Sequence, residues 1–152
     1  AGMHARFLDM LHHPRHEHLA AVAEGPHLHL ESRTAARDYE ASLNPELFLS
    51  PLPGTGVVVG RAIDSGGDVV DDAGVSLYRV SPTGDTEWIA STTTYPGDHV
   101  NPESSFRENF LFGDVAPGRY ALGMDGRAPR ADESFEVEAD DVTRITLLRD
   151  RP

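Results

Sequence analysis

The sequence predicts a mainly β protein, and three observations lead to that fold class. Short runs rich in valine, threonine and aromatic residues follow one another along the last two thirds of the chain. Clusters of Gly, Pro, Asp and Ser separate these runs, as expected for turns between strands. A further segment, 25–33, alternates polar and apolar residues in the manner of a strand. The seven predicted strands of the later region are 56–63, 75–80, 87–95, 106–115, 119–124, 134–138 and 142–148, which favours a seven-stranded antiparallel β-sandwich.

The N-terminal stretch, from Met3 to Val22, carries two signals. Apolar residues at 7, 8, 10 and 11 suit a helix or a buried strand, and Pro14 interrupts any helix there. The histidine-rich character of this stretch is compatible with a solvated tail and, about equally, with a site.

Segment 25–33 contains the most informative pattern. As a strand it places His27, His29 and Glu31 on one face and two leucines on the other. Two exposed histidines on a half-buried strand would be an ordinary finding. However, seven of the eight histidines lie between His4 and His29. Because neutral imidazole is a common zinc ligand, the pattern favours a metal site on this strand.

Three stretches resemble lysostaphin-like zinc endopeptidases, bacterial enzymes that cut the peptide cross-links of peptidoglycan. Gly-Pro-His-Leu-His-Leu-Glu-Ser-Arg at 25–33 is similar to their Gly-Pro-His-Leu-His-Phe-Glu-x-Arg signature. Asn-Pro-Glu-Leu-Phe-Leu at 44–49 resembles the Asn-Pro segment that closes their catalytic domain. His-Glu-His-Leu at 16–19 resembles their Tyr-x-His-Leu motif. The resemblance covers about the first third of the chain and implies a partial domain of that family over residues 1–49.

The resemblance also implies a role for each matching histidine. His29 corresponds to the last zinc ligand, and His27 to the histidine that helps to activate the zinc-bound water. His18 corresponds to the second catalytic histidine. The implied cofactor is Zn²⁺, the implied substrates are peptidoglycan peptides or another peptide, and the implied location is secreted, periplasmic or cell-envelope associated. The upstream His-x-x-x-Asp that supplies the family's other ligands has no counterpart here.

Residues 34–55 connect the two regions. The composition of 34–43 is compatible with a helix, which Asn44 and Pro45 should end because a residue before proline avoids helical geometry. Two prolines and two glycines between Ser50 and Gly56 predict a connection with sharp turns. We therefore expect a linker at 50–55 and a second domain at 56–150.

The second domain carries a turn motif before its fifth strand. Pro117 and Gly118 suit a tight turn, because proline presets one residue and glycine tolerates positive φ at the next. Together with 59–64 and 74–77, this stretch resembles the carboxypeptidase-regulatory-like, transthyretin-like β-sandwich, which implies an accessory module. Trp88, Tyr78 and Phe112 are compatible with a sugar-stacking platform, but we expect each to pack in the core.

Composition limits the possible partners. The formal charge of -12 argues against binding to nucleic acid and to anionic membrane surfaces. No apolar run is long enough to insert into a bilayer, and the absence of cysteine excludes disulfides and thiolate-bound zinc.

The sequence thus predicts a zinc-dependent endopeptidase with an accessory sandwich. One alternative is a catalytically degenerate binding or scaffolding protein that keeps the fold without a complete metal site. The other is a free-standing sandwich with the chain up to Ser50 packed on its side.

Overall fold

A computed structural model describes residues 4–6, 29–33, 42–96, 100–102, 105–129 and 131–149. These residues form ten strands, and none of them lies in an α-helix, so the prediction of a mainly β fold is confirmed. The described residues also contain no helix with the length and hydrophobicity needed to cross a membrane. The strands are β1 His4–Arg6, β2 His29–Arg33, β3 Ser42–Leu43, β4 Gly56–Ile63, β5 Gly74–Val80, β6 Thr86–Thr93, β7 Phe110–Val115, β8 Gly118–Met124, β9 Phe135–Val137 and β10 Val142–Leu148.

The strands form three sheets. A small antiparallel sheet has the order β1-β2-β3, a second has the order β10-β4-β7, and a third has the order β6-β5-β8-β9. Each of the seven strands expected after residue 55 has a counterpart in the latter two sheets, with end points shifted by up to four residues.

One strand pair differs from the antiparallel arrangement that we expected, because β10 runs parallel to β4. The chain leaves β9 at the end of the molecule where β4 begins. There the Asp140 N–H donates to the Thr55 carbonyl (2.8 Å) and the Val57 N–H donates to the Asp141 carbonyl (3.0 Å). Since β10 starts beside the start of β4, it has to run in the same direction.

The two larger sheets share one apolar core. Strand alternation directs Val58, Leu77, Phe110 and Tyr120 to the inside, where each is at most 2% exposed. The Phe110 and Phe112 rings meet edge to face with centroids 6.1 Å apart. The Tyr120 hydroxyl donates to the Ala116 carbonyl (2.8 Å), which ties the strand to the preceding Pro-Gly turn. Burial of these large side chains is the main source of the sheets' stability.

A second, smaller cluster lies on the opposite side of β4 and β7. Val57, Val59 and Leu111 are buried there against Leu47 and Phe106. Because of this cluster, β4 is covered on both faces, and five consecutive residues at its start are buried. The segment that follows β3 therefore packs on the sheet that contains β4.

The region around Asn44 differs from the prediction of a helix that Asn44 and Pro45 would end. Ser42 and Leu43 form a short strand, and Pro45–Phe48 forms one turn of 3₁₀ helix. Pro45 lies at the start of that turn, where a missing N–H costs nothing, and Asn44 caps it. The prediction for 34–41 lies outside the described residues. We call residues 56–150, which contain the two larger sheets, the β module. The 50–55 connection is attached to this module, since the Leu52 N–H donates to Asp114 Oδ1 (2.7 Å).

Candidate functional site

His29, the predicted zinc ligand, is the first residue of β2. It pairs with Arg6 of β1, and further along the same strand Ser32 and Arg33 pair with β3. Pairing with neighbouring strands restricts a strand's backbone, which is what a metal-ligating residue needs; at His29 the paired strand is β1, and β3 joins three residues further on. The structure thus has a strand at the second half of segment 25–33.

The other two predicted site residues, His18 and His27, lie outside the described residues. Within the described ranges, no three His, Asp or Glu side chains come together in a group that could hold a metal ion. The zinc and catalytic roles of His18, His27 and His29 accordingly stay predictions.

A polar junction connects the Asn-Pro segment to the β module, and sequence analysis did not identify it. We define the Tyr95 junction as Asn44, Glu46, Tyr95 and Glu108. The Asn44 side chain works in two directions: its Oδ1 accepts from the Glu46 N–H, and its Nδ2 donates to the Tyr95 hydroxyl, both at 3.0 Å. One side chain therefore caps the 3₁₀ turn and anchors it to a residue 51 positions later.

Burial dominates the electrostatics of this junction. Tyr95 is 9% exposed and Glu108 is 1% exposed. Burial raises the pKa of the Tyr95 phenol well above its ordinary value of 10.0; the hydrogen bond from Asn44 opposes this, while the Glu108 and Glu46 carboxylates add to it. The phenol therefore stays protonated at neutral pH and serves as a hydrogen-bonding group, not as a base.

Hydrogen bonds of the Asn109 side chain explain why β7 begins later than predicted. The Asn109 side chain accepts from the Ala62 N–H (2.7 Å) and donates to the carbonyls of Ala62 (3.2 Å) and Val70 (2.9 Å). These side-chain hydrogen bonds satisfy backbone groups that strand pairing would otherwise satisfy. Phe110 is therefore the first residue of β7 that pairs with β4. Alternation along the chain does not indicate the burial of Glu108, because the five consecutive residues from Glu108 to Phe112 are all buried.

The three aromatic residues expected in the core have different environments. Phe112 is buried in the core, as predicted. Tyr78 is half-buried, and Trp88 is 59% exposed, so the prediction is wrong for Trp88. A β-bulge is the cause: the register of β5 with β6 shifts between Leu77 and Tyr78, so Trp88 lies opposite outward-facing Tyr78.

Comparisons with known proteins do not assign this chain to a family. No family model matches the chain, and no curated protein matches it. A crystal structure of (S)-allantoin synthase is similar to part of it, with 16% sequence identity and a TM-score of 0.41. The similar region covers 66% of this chain and 42% of the allantoin synthase chain. A likeness this distant carries no argument about activity.

Proposed function

We propose that this chain is a zinc-dependent endopeptidase that acts on peptidoglycan peptide cross-links, with the β module of residues 56–150 as an accessory. The observation that carries the proposal is the Gly-Pro-His-Leu-His-Leu-Glu-Ser-Arg stretch at 25–33. Its last five residues form the central strand of the three-stranded sheet. A paired strand is the backbone on which alternate imidazoles can converge on one ion.

The donor chemistry of this stretch is suited to zinc. In the proposed site His29 holds the ion, His27 takes a proton from the attacking water, and His18 assists at the transition state. A bound Zn²⁺ lowers the pKa of a water molecule to near neutrality, and neutral histidine is the side chain best suited to accept that proton. With such a substrate, the protein acts outside the cytoplasm, secreted or associated with the cell envelope.

The Tyr95 junction supports a role for the β module in positioning. The Asn-Pro segment follows the proposed catalytic strand in the chain, and Asn44 attaches it to the module through Tyr95. Leu47 of the same segment packs on Val57, Val59 and Leu111. This attachment holds the last part of the peptidase-like segment against the module.

The test is a metal and activity measurement with matched histidine variants. We expect about one zinc ion per purified chain by elemental analysis, together with release of new amino termini from isolated peptidoglycan. His29→Ala should lose both properties. His99→Ala removes the one histidine that follows His29 in the sequence and should keep both. A chain that holds no zinc, or whose hydrolysis survives His29→Ala, contradicts the proposal.

A second candidate is a non-catalytic binding or scaffolding module. It is favoured by one feature of the sequence, the lack of the His-x-x-x-Asp that supplies two ligands in lysostaphin-like enzymes. In the same experiment this candidate predicts co-sedimentation with peptidoglycan and no new amino termini. It also predicts equal behaviour of His29→Ala and His99→Ala.

A further inference from the structure

The outward side of the four-stranded sheet carries an exposed tryptophan and a half-buried tyrosine with hydroxyl groups beside them. Leu77 points into the core, so its neighbours Ser76 and Tyr78 point outward. In the ladder, Tyr78 lies opposite Trp88 and Ser76 lies opposite Ser91. Directly opposite residues share one face of a sheet. We call these four residues, Ser76, Tyr78, Trp88 and Ser91, the aromatic face.

Hydrogen bonds hold the tryptophan of this face in place. The indole Nε1 of Trp88 donates to Ser91 Oγ (3.0 Å), and Ser91 Oγ lies 2.8 Å from Ser76 Oγ. The ring is thus oriented over its own sheet while 59% of the residue stays exposed. A large ring that is fixed and still exposed has already lost the conformational freedom that binding would otherwise remove.

The tyrosine of the aromatic face lies over a position without a side chain. A Cβ at Gly123 on the neighbouring strand would come within 3.3 Å of Tyr78 Cε2. A Cβ there would also overlap the Arg127 carbonyl oxygen, so the glycine makes room for the backbone of Arg127 beside the tyrosine ring. On the side of β8 the aromatic face is bordered by the Arg127 backbone, and Ala121, which lies opposite Tyr78, is fully buried. Trp88 is therefore the exposed part of the pair.

We propose that the aromatic face binds a neutral polysaccharide. A pyranose ring has an apolar face of C–H groups and an edge of hydroxyls, so it needs a flat aromatic surface with hydrogen-bonding groups at its margin. Trp88 and Tyr78 supply the first, and Ser76 and Ser91 supply the second. The Cβ atoms of two directly opposite residues, such as Tyr78 and Trp88, are about 5 Å apart, which is close to the length of one sugar unit. The net charge of -12 disfavours anionic polymers.

The geometry disfavours a protein as the occupant. Two partly exposed aromatic rings offer at most a few hundred Å², whereas a stable protein interface needs about 800 Å² from each partner. Strand β6 is at the edge of its sheet, so a protein could also bind by adding a strand of its own to that edge. The bulge beside Ile89 and the charged Glu87 work against it, because bulges and charges on an edge discourage pairing.

This inference concerns the β module alone and does not depend on zinc, so it can fail while the peptidase proposal stands, and the reverse. Trp88 is the chain's single tryptophan, so its fluorescence reports directly on the face. Titration of the full chain with N-acetylglucosamine hexamers, cellohexaose and maltohexaose should shift the emission to shorter wavelength with at least one of them. Polygalacturonate, an anionic chain of similar rings, should give no shift.

Matched variants complete the test by calorimetric titration. Trp88→Ala should weaken binding at least about tenfold, as expected for an anchoring aromatic residue. Ser91→Ala, which frees the indole without removing it, should weaken binding less. Phe48→Ala removes another exposed aromatic residue and should leave the affinity unchanged.

Four outcomes would overturn the inference. These are the absence of any spectral shift with the neutral hexamers, equal binding by Trp88→Ala, a preference for polygalacturonate, and an emission that changes with protein concentration while sedimentation shows dimers. The last outcome would assign the face to a second copy of the chain.

Discussion

Asn44 shows how one residue can link two parts of the chain. Its carbonyl oxygen caps a 3₁₀ turn, and its amide nitrogen donates to the Tyr95 hydroxyl. Tyr95 is buried next to the carboxylate of Glu108, an environment that strongly disfavours ionisation of the phenol. The consequence is that folding opposes ionisation of this tyrosine, because burial and the nearby carboxylates outweigh the hydrogen bond from Asn44.

The first prediction concerns the pH dependence of stability. The folded-state pKa of Tyr95 is raised, so its contribution is fully present below the unfolded pKa near 10. It is lost as the pH rises above that value, with a slope approaching about 1.4 kcal/mol per pH unit. Because the chain has no lysine or cysteine, tyrosines are the side chains that ionise in this range. Denaturant unfolding of wild type and Tyr95→Phe at several pH values measures the effect.

The comparison contains its own control. From about pH 6 to 8 the phenol is protonated in both states, so the difference between the two proteins' unfolding free energies should be constant. Above about pH 10 wild type should lose stability faster than Tyr95→Phe. Parallel curves across the whole range would show that Tyr95 ionises as easily in the folded protein as in the unfolded chain.

At the scale of elements, the pairing of β4 with β7 depends on a glycine. Gly60 lies opposite Phe110 in this ladder, and a Cβ at Gly60 would overlap the Phe110 ring. The absent side chain leaves the space in which the ring lies flat on the neighbouring strand. Phe110 is fully buried, so no outward movement of the ring can relieve the overlap without loss of core contacts.

Substitution of that glycine should therefore destabilise the module. We expect Gly60→Ala to lower the free energy of unfolding by about 1–3 kcal/mol, the usual cost of overpacking a core. Gly74→Ala is the matched control, because no atom lies within 4 Å of a Cβ at that position; it should change stability by less than about 0.5 kcal/mol. Urea denaturation of the two variants and wild type decides the point. Equal effects at both positions would mean that Phe110 can move aside.

At the scale of the whole molecule, the β module is covered by the segment that precedes it. Val57, Val59 and Leu111 are buried on the outer face of β4 and β7, in contact with Leu47. The Asn101 N–H donates to the Ser42 carbonyl (2.8 Å) and the Asn44 amide to Tyr95 (3.0 Å). Removal of the preceding segment would expose to water the part of these three side chains that Leu47 covers, while Phe106 of the module stays packed against them.

The corresponding prediction compares two shortened chains. We expect residues 56–152 to melt about 5–15 °C below residues 42–152, since the lost contacts amount to about 2 kcal/mol. Leu52→Ala within 42–152 is the control, because Leu52 is 61% exposed and its truncation should leave the melting temperature unchanged. Calorimetry of the three proteins provides the measurement. Identical melting temperatures for 56–152 and 42–152 would mean that the module is independent, as the free-standing sandwich alternative requires.

The sequence by itself determined where most strands and turns lie after residue 55. Alternation of apolar residues and Pro-Gly or Asp-rich turns are local signals, which act within a few residues of where they occur. The Ser-Pro-Thr-Gly-Asp turn at 81–85 is an example, since Gly84 has a positive φ of 91° and its N–H donates to the Ser81 carbonyl (3.0 Å). For the candidate site the sequence supplied the histidine pattern at 25–33, and the structure adds a strand at its second half.

Only the tertiary structure decided the features that depend on distant residues. The direction of β10, the outward position of Trp88 and the burial of Tyr95 with Glu108 each result from contacts across sheets or across a bulge. Asn44 and Tyr95 are 51 positions apart, and no local pattern relates them. The physical reason is that burial and register are properties of pairs of segments, whereas propensity and alternation are properties of one.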